Sequence, residues 1–330
     1  MKAGKKIILM FTIALLSITG CGNQSELARQ TEDKINVVCV SFPEYDWTRQ
    51  IIGDNNSNVS LHLIVDNGVD IHNYQPSVED MVQIDDCDLL IYTRGTSEQW
   101  ITDAVADSDH KPELLSMMET LKDGMVQEEI VEGMEPEKHH HEEEEHGEHE
   151  EEIEYDEHVW LSLKQAQKMV QEITDTLKKL DGEHQEQYDQ NAKQYLASLA
   201  ELDKAYENVV KDAKRTTLLF GDRFPFRYMT EDYGLTYYAA FPGCSSESEA
   251  SFETIIFLAK KVEEEKLPCI LTIDGSNETI ARAIAENVNG SVNIQRLNSL
   301  QAINKKQIAQ GVTYISVMEQ NLKVLKNALE

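Results

Sequence analysis

With 330 residues and 41% hydrophobic side chains, the chain has apolar material for about two domains with self-sufficient cores. Thirty basic residues against sixty acidic ones leave a formal charge of −30. That balance argues against binding a phosphate backbone, so no nucleic-acid partner is expected.

The acid is concentrated. Glu128 to His158 holds sixteen carboxylates and one base, Lys138, so about half of the net charge lies in one stretch.

At the N-terminus Lys2, Lys5 and Lys6 precede an apolar run from Ile7 to Leu16. A run of ten residues, nine of them apolar, is too short to span a bilayer and fits the core of a signal peptide. The run ends in Ile18-Thr19-Gly20-Cys21, where small residues precede a cysteine. This resembles the bacterial lipobox, whose cysteine becomes the lipidated first residue of the mature chain. Residues 1–20 therefore read as a signal peptide and 21–34 as a lipid-anchored tether. The folded part is expected outside the cytoplasm, held to the cell membrane through Cys21. Cys39, Cys87, Cys244 and Cys269 form no C-x-x-C pair, and no disulfide is expected among them.

Strand-like and helix-like runs then alternate. Ile35–Val40, Val59–Val65 and Leu89–Tyr92 are short, β-branched and apolar, while Tyr45–Ile52, Val78–Ile84 and Gln99–Ala106 have helical spacing. Leu163, Ala166, Val170, Ile173, Leu177 and Leu180 mark one helical stripe. A second runs unbroken by Gly or Pro from about 183 to 213, long enough for a strut between two lobes or for half of a helical hairpin inside the second one. Further strands are expected at Thr217–Gly221, Thr236–Phe241, Cys269–Ile273 and Val292–Leu297. Helices are expected at Phe226–Tyr233, Glu249–Glu265, Glu278–Asn287 and Thr313–Ala328. Such alternation predicts an α/β fold built on mostly parallel sheets.

Two histidines lie in polar turns before helices, in Asp70-Ile71-His72-Asn73-Tyr74 and in Asp156-Glu157-His158-Val159-Trp160-Leu161. Imidazole is the commonest zinc ligand, and two histidines with one or two carboxylates complete a tetrahedral site. Between the two lies a run holding His139, His140, His141, His146 and His149 among carboxylates. Nothing apolar anchors this run, so disorder is expected over about 127–155, with weak and exchangeable metal capture. His62, His110 and His184 stand singly and read as structural. No G-x-S-x-G, P-loop, G-x-G-x-x-G or helical H-E-x-x-H is present, and no catalysis is expected.

Taken in order, these features resemble the zinc/manganese substrate-binding lipoproteins of bacterial ABC importers: the lipobox, Ser41-Phe42-Pro43 after the first strand, the two histidine motifs flanking a His/Glu-rich loop, a long helix, and Tyr233-Gly234-Leu235. The resemblance covers essentially the whole mature chain. It implies two α/β lobes, each a mostly parallel sheet flanked by helices, joined by one long rigid helix with metal in the cleft between them. The expected boundaries are 35–181 for the N-terminal lobe, 182–213 for the linking helix and 214–330 for the C-terminal lobe. His72 and His158 match the family's N-lobe ligands.

The C-lobe departs from the pattern. Arg223 stands ten residues before Tyr233, where the family places a His or Glu, and Asn298 stands for a later acid. Arginine cannot ligate a cation, so the missing ligands must come from elsewhere. Asp222, Glu247, Glu249 and Asp274 are candidates, each near an expected strand end or helix start, and Cys244 is a further thiolate candidate. The expected function is capture of Zn2+, or of Mn2+ as the rival within the class, for a membrane permease with its cytoplasmic ATPase. A monomer is expected, and a surface metal buffer or adhesin without a transporter is the alternative.

Overall fold

The computed structural model describes residues 34–54, 57–107, 111–135, 155–245 and 249–330. Its first half runs β1 (Ile35–Cys39), α1 (Phe42–Ile52), β2 (Val59–Leu63), α2 (Val78–Asp85), β3 (Leu89–Tyr92), α3 (Gln99–Asp107), β4 (Glu113–Ser116) and the single turn α4 (Met117–Thr120). Helix α1 starts three residues before its apolar spacing suggests. Pro43 suits a first turn, and Glu44 folds back to accept the backbone N–H groups of Val40 and Ser41 at 3.1 and 2.9 Å. Two long helices follow, α5 (Leu163–Leu180) and α6 (Gln185–Lys211).

The second half repeats the alternation. It contains β5 (Thr217–Phe224), α7 (Arg227–Tyr233), β6 (Thr236–Pro242), α8 (Phe252–Glu264), β7 (Cys269–Thr272), α9 (Thr279–Glu286), β8 (Asn293–Arg296), α10 (Lys305–Ala309) and α11 (Tyr314–Leu329). The sequence pattern missed β4, α4 and α10, which are too short to show a period. Helix α10 is set by its cap instead, with Asn304 accepting from Gln307 N while the Gln307 side chain accepts from Asn304 N.

Each half holds a four-stranded sheet, ordered β2-β1-β3-β4 and β6-β5-β7-β8, and every pairing is parallel. In the first sheet Val38 sits opposite His62 on one side and Leu90 on the other; in the second, Phe220 sits opposite Ala239 and Leu271. The two sheets thus share one topology, in which strand order reverses beside the first strand. Loops leaving the C-terminal strand ends at such a reversal form a crevice. No helix among the described residues is long and apolar enough to cross a membrane.

The largest apolar core is continuous through both halves. It takes Val37, Trp47 and Leu89 from the first sheet layer, Phe220, Leu271 and Met318 from the second, and Met169, Tyr188 and Leu199 from α5 and α6. Smaller cores cover the other face of each sheet. Helix α6 touches both sides. Gln187 and Asn191 donate to the last carbonyls of α1 at 3.1 and 2.9 Å. Farther along, Tyr206 donates to Met318 O in α11 at 2.7 Å, and Asp203 accepts from Tyr233 of α7 at 2.8 Å. Its 27 residues make a rod about 40 Å long.

One expectation needs correcting here. Residues 127–135 belong to the stretch expected to be disordered, yet they are ordered. Met134 is buried, Val131 packs on the main core, Glu135 N donates to Ala240 O at 2.9 Å, and the Glu135 carboxylate accepts from Ser251 N and Thr254 Oγ1. The apolar anchors at 126, 131 and 134 were outweighed in the sequence by the surrounding acid. Residues 136–154, with all five loop histidines, lie outside the described residues, as does Cys21.

Candidate metal centre

His72 sits in a one-turn 3-10 helix (Ile71–Asn73) beyond the C-terminal end of β2. Asp70 shapes that turn: its Oδ1 accepts from His72 N at 3.0 Å and lies 2.8 Å from the ring Nδ1. His158 is built the same way. Asp156 Oδ1 accepts from His158 N at 2.8 Å and lies 3.1 Å from its Nδ1. A carboxylate at Nδ1 holds the N–H there and leaves Nε2 as the ring nitrogen that can turn to a cation. The two rings stack at a centroid separation of 5.2 Å, both from the first half of the chain.

The second half closes over them. Arg223, at the end of β5, pairs with the other oxygen of Asp70 and donates to Ser245 O, so it braces the Asp70–His72 unit across the cleft. The Gln301 amide, beyond β8, lies 3.0 Å from His72 Nδ1 and 3.1 Å from His158 Nε2. Trp160 stands edge-on to His158 at 5.3 Å and donates from its indole to Ser299 O at 2.9 Å.

Two more groups reach the rings. Glu157, 2% exposed, places Oε1 2.8 Å from His72 Nε2 and Oε2 2.9 Å from Ser97 Oγ, which donates to it. Cys244, in the turn after β6, has its Sγ 3.6 Å from Glu157 Oε1. Among the described residues, His72, His158 and Cys244 are the one group of three or more whose ligating atoms all lie within 4.8 Å of one another.

The electrostatics of the cleft are set by the His72 ring and the carboxylates around it. Burial opposes charge on His72, but Asp70 and Glu157 outweigh it and carry the ring to about 9. Burial likewise works against Asp70 and Glu157, and His72, joined at Asp70 by Arg223, more than compensates, holding both below the usual carboxylate range. Burial and then the carboxylates of Glu157, Asp156 and Glu128 push the Cys244 thiol up. Behind Glu157, the fully buried Glu98 is pushed up to about 8, mainly by burial. A metal bound at His72 displaces its proton and supplies the positive charge that these carboxylates face.

Three expected ligands are not brought to the histidines. Asp274 is used within its own half, accepting from Ser299 N at 2.5 Å, Ser299 Oγ at 2.7 Å and Ala302 N at 3.1 Å to fix the turn after β8. Asp222 accepts from Arg223 N and Ile273 N and lines a separate polar cavity of about 190 Å³. Glu249 is exposed just ahead of α8. Each stands near a strand end or helix start, as the pattern required, but those positions serve turns and surface. Glu247 lies outside the described residues. Asn298 is also occupied locally, its Oδ1 accepting from Leu300 N at 2.7 Å, and Gln301 is the residue of that segment that meets the rings. The sequence did carry one unused signal, the Asp-x-His spacing repeated at 70–72 and 156–158.

A family model described as "ZnuA: Zinc-uptake complex component A periplasmic" matches residues 37–328. The chain belongs to this family. The "High-affinity zinc uptake system protein ZnuA" of Bacillus subtilis (strain 168) is 32% identical over 98% of each chain. The "Zinc-binding lipoprotein AdcA" of Streptococcus pneumoniae (strain ATCC BAA-255 / R6) is 29% identical over 99% of this chain and 61% of its own length. The chain therefore spans about three fifths of the AdcA relatives it matches. Among solved structures, the Zn(II)-bound ZnuA-like domain of Streptococcus pneumoniae AdcA is 27% identical with a TM-score of 0.68, over 90% of this chain and 99% of that one. The metal-dependent lipoprotein YcdH from Bacillus subtilis is 26% identical with a TM-score of 0.71, over 90% and 100%. The α/β architecture of two parallel sheets flanked by helices is thus the one this family uses.

Proposed function

We propose that this chain captures Zn2+ outside the cytoplasmic membrane and delivers it to an ABC permease driven by a cytoplasmic ATPase. The observation that carries the reading is the pair of buried imidazoles, each oriented by its own aspartate and stacked in the cleft between the two sheets. Imidazole nitrogen favours Zn2+, whereas Mn2+ is suited by oxygen-rich sites. The names of the ZnuA and AdcA relatives support the same cargo. Residues 35–181 and 214–330 serve as the two lobes and 182–213 as the link between them. Cys21 is the lipid anchor, and the chain works as a monomer. Cys21→Ala should release the protein from membranes or leave it unprocessed; a mature, membrane-bound mutant contradicts the anchor.

Calorimetric titration tests the capture reading. Wild type should bind one tight equivalent of Zn2+ and discriminate against Mn2+, with further weak zinc equivalents from the histidine-rich loop. Deleting 137–152 should remove the weak equivalents and leave the tight one. Loss of tight binding in the deletion would mean that loop side chains bind the tightly held ion directly. Asp156→Asn keeps the shape of the His158 partner but removes its charge, and should weaken zinc about 10- to 100-fold. Unchanged affinity in that variant would show that the carboxylate does not tune the ring.

A further inference from the structure

We propose that Glu157 and Cys244 complete the metal site, giving a centre of two imidazole nitrogens, one carboxylate oxygen and one thiolate sulfur. This rests on the capture reading above and names the coordination chemistry, and so the cation class, of that same site. Arg223 occupies the position from which the resemblance expects a C-lobe ligand, and it is spent on Asp70. Gln301 offers only a neutral amide. The second half nevertheless reaches the histidines through Cys244, whose Sγ falls within 4.8 Å of the ligating atoms of both.

Independent observations point the same way. His72 Nε2 is buried and has no hydrogen-bond partner, although Glu157 Oε1 is only 2.8 Å away. The carboxylate therefore reaches, at ion-pair distance, the ring nitrogen that a cation would take. The backbone is also thinned to admit these groups. A Cβ at Gly95 would fall 1.3 Å from Glu157 Oε2 and 2.6 Å from its Cβ, and a Cβ at Gly243 would fall 3.0 Å from His158 Cε1. Glycine at both positions lets Glu157 and the Cys244 turn approach the rings.

Four such donors suit a tetrahedral, borderline-soft ion. Zn2+, Cd2+ and the spectroscopic probe Co2+ are the expected class, and the thiolate disfavours Mn2+. On binding, the S–H proton leaves to water as the sulfur–metal bond forms, with no change of oxidation state.

Cobalt loading of the full chain tests this. The wild-type Co2+ complex should show a near-ultraviolet thiolate-to-metal charge-transfer band together with visible d–d bands. Cys244→Ser should lose the charge-transfer band, keep d–d absorption and bind Zn2+ at least about tenfold more weakly. Glu157→Gln should keep the band while also weakening Zn2+. As a check that needs no substitution, Zn2+ should slow alkylation of Cys244 in the wild type, read by peptide mass. A wild-type cobalt complex with d–d bands and no thiolate band, or alkylation of Cys244 at equal rates with and without Zn2+, overturns the thiolate while leaving metal capture standing. A wild type that takes up neither Co2+ nor Zn2+ overturns the capture reading and this proposal together.

Discussion

His72→Ala and His158→Ala should each weaken Zn2+ binding by more than about 100-fold, beyond the range seen when only a residue orienting a ligand is changed. Each removes one of two imidazoles that meet in the cleft, and among the described residues neither has a spare nearby. Among the described residues His62 is bound to Ser60 on β2, and His184 to Asp181 between α5 and α6. His184→Ala is therefore the matched control: it also deletes a histidine paired with an aspartate, and it should leave zinc affinity unchanged. Calorimetry that finds both cleft variants within threefold of wild type would remove the site assignment.

Trp160→Ala should be the most damaging single change to stability, at about 3–5 kcal/mol. The indole is 1% exposed and belongs to the core shared by both halves. Its Nε1 donates to Ser299 O, and its own carbonyl accepts from Tyr314 at 2.6 Å, so one residue ties the turn after β8 and the start of α11 to the His158 segment. The loss should appear in denaturant unfolding as a lower midpoint. It should also lower metal affinity, because the cavity opens against the His158 ring. A midpoint unchanged within error would show that the neighbouring side chains close the gap.

The alternation of strands and helices was legible because the strands are buried on both faces and read as short apolar runs, while α5, α6 and α11 are long enough to show a period. Elements of four or five residues were not, since β4 and α10 owe their existence to pairing and capping. In the site, the two histidines stood out by residue type and by their turns. Their partners did not, because a carboxylate near a strand end has the same sequence appearance whether it meets a metal or fixes a turn. Asp274 and Glu157 illustrate this. One is consumed by three local donors, and the other is delivered to His72 by a glycine sixty-two residues earlier in the chain. The positions of Cys244 and Gln301 depend on how the two sheets face each other, which no local pattern encodes.

The junction between α1 and α11 bears on how the fold forms. Trp47 packs edge-on to Tyr314 at 5.1 Å, and Asp46 accepts from Tyr314 N at 2.8 Å, across 268 residues. The core around the first sheet is thus completed by a helix from the second half. Until α11 docks, Trp47 lacks its Tyr314 neighbour and Asp46 lacks its backbone donor. Contacts of such sequence separation form slowly and late. The two halves are therefore expected to fold as one cooperative unit, with the first half incomplete until α11 has docked.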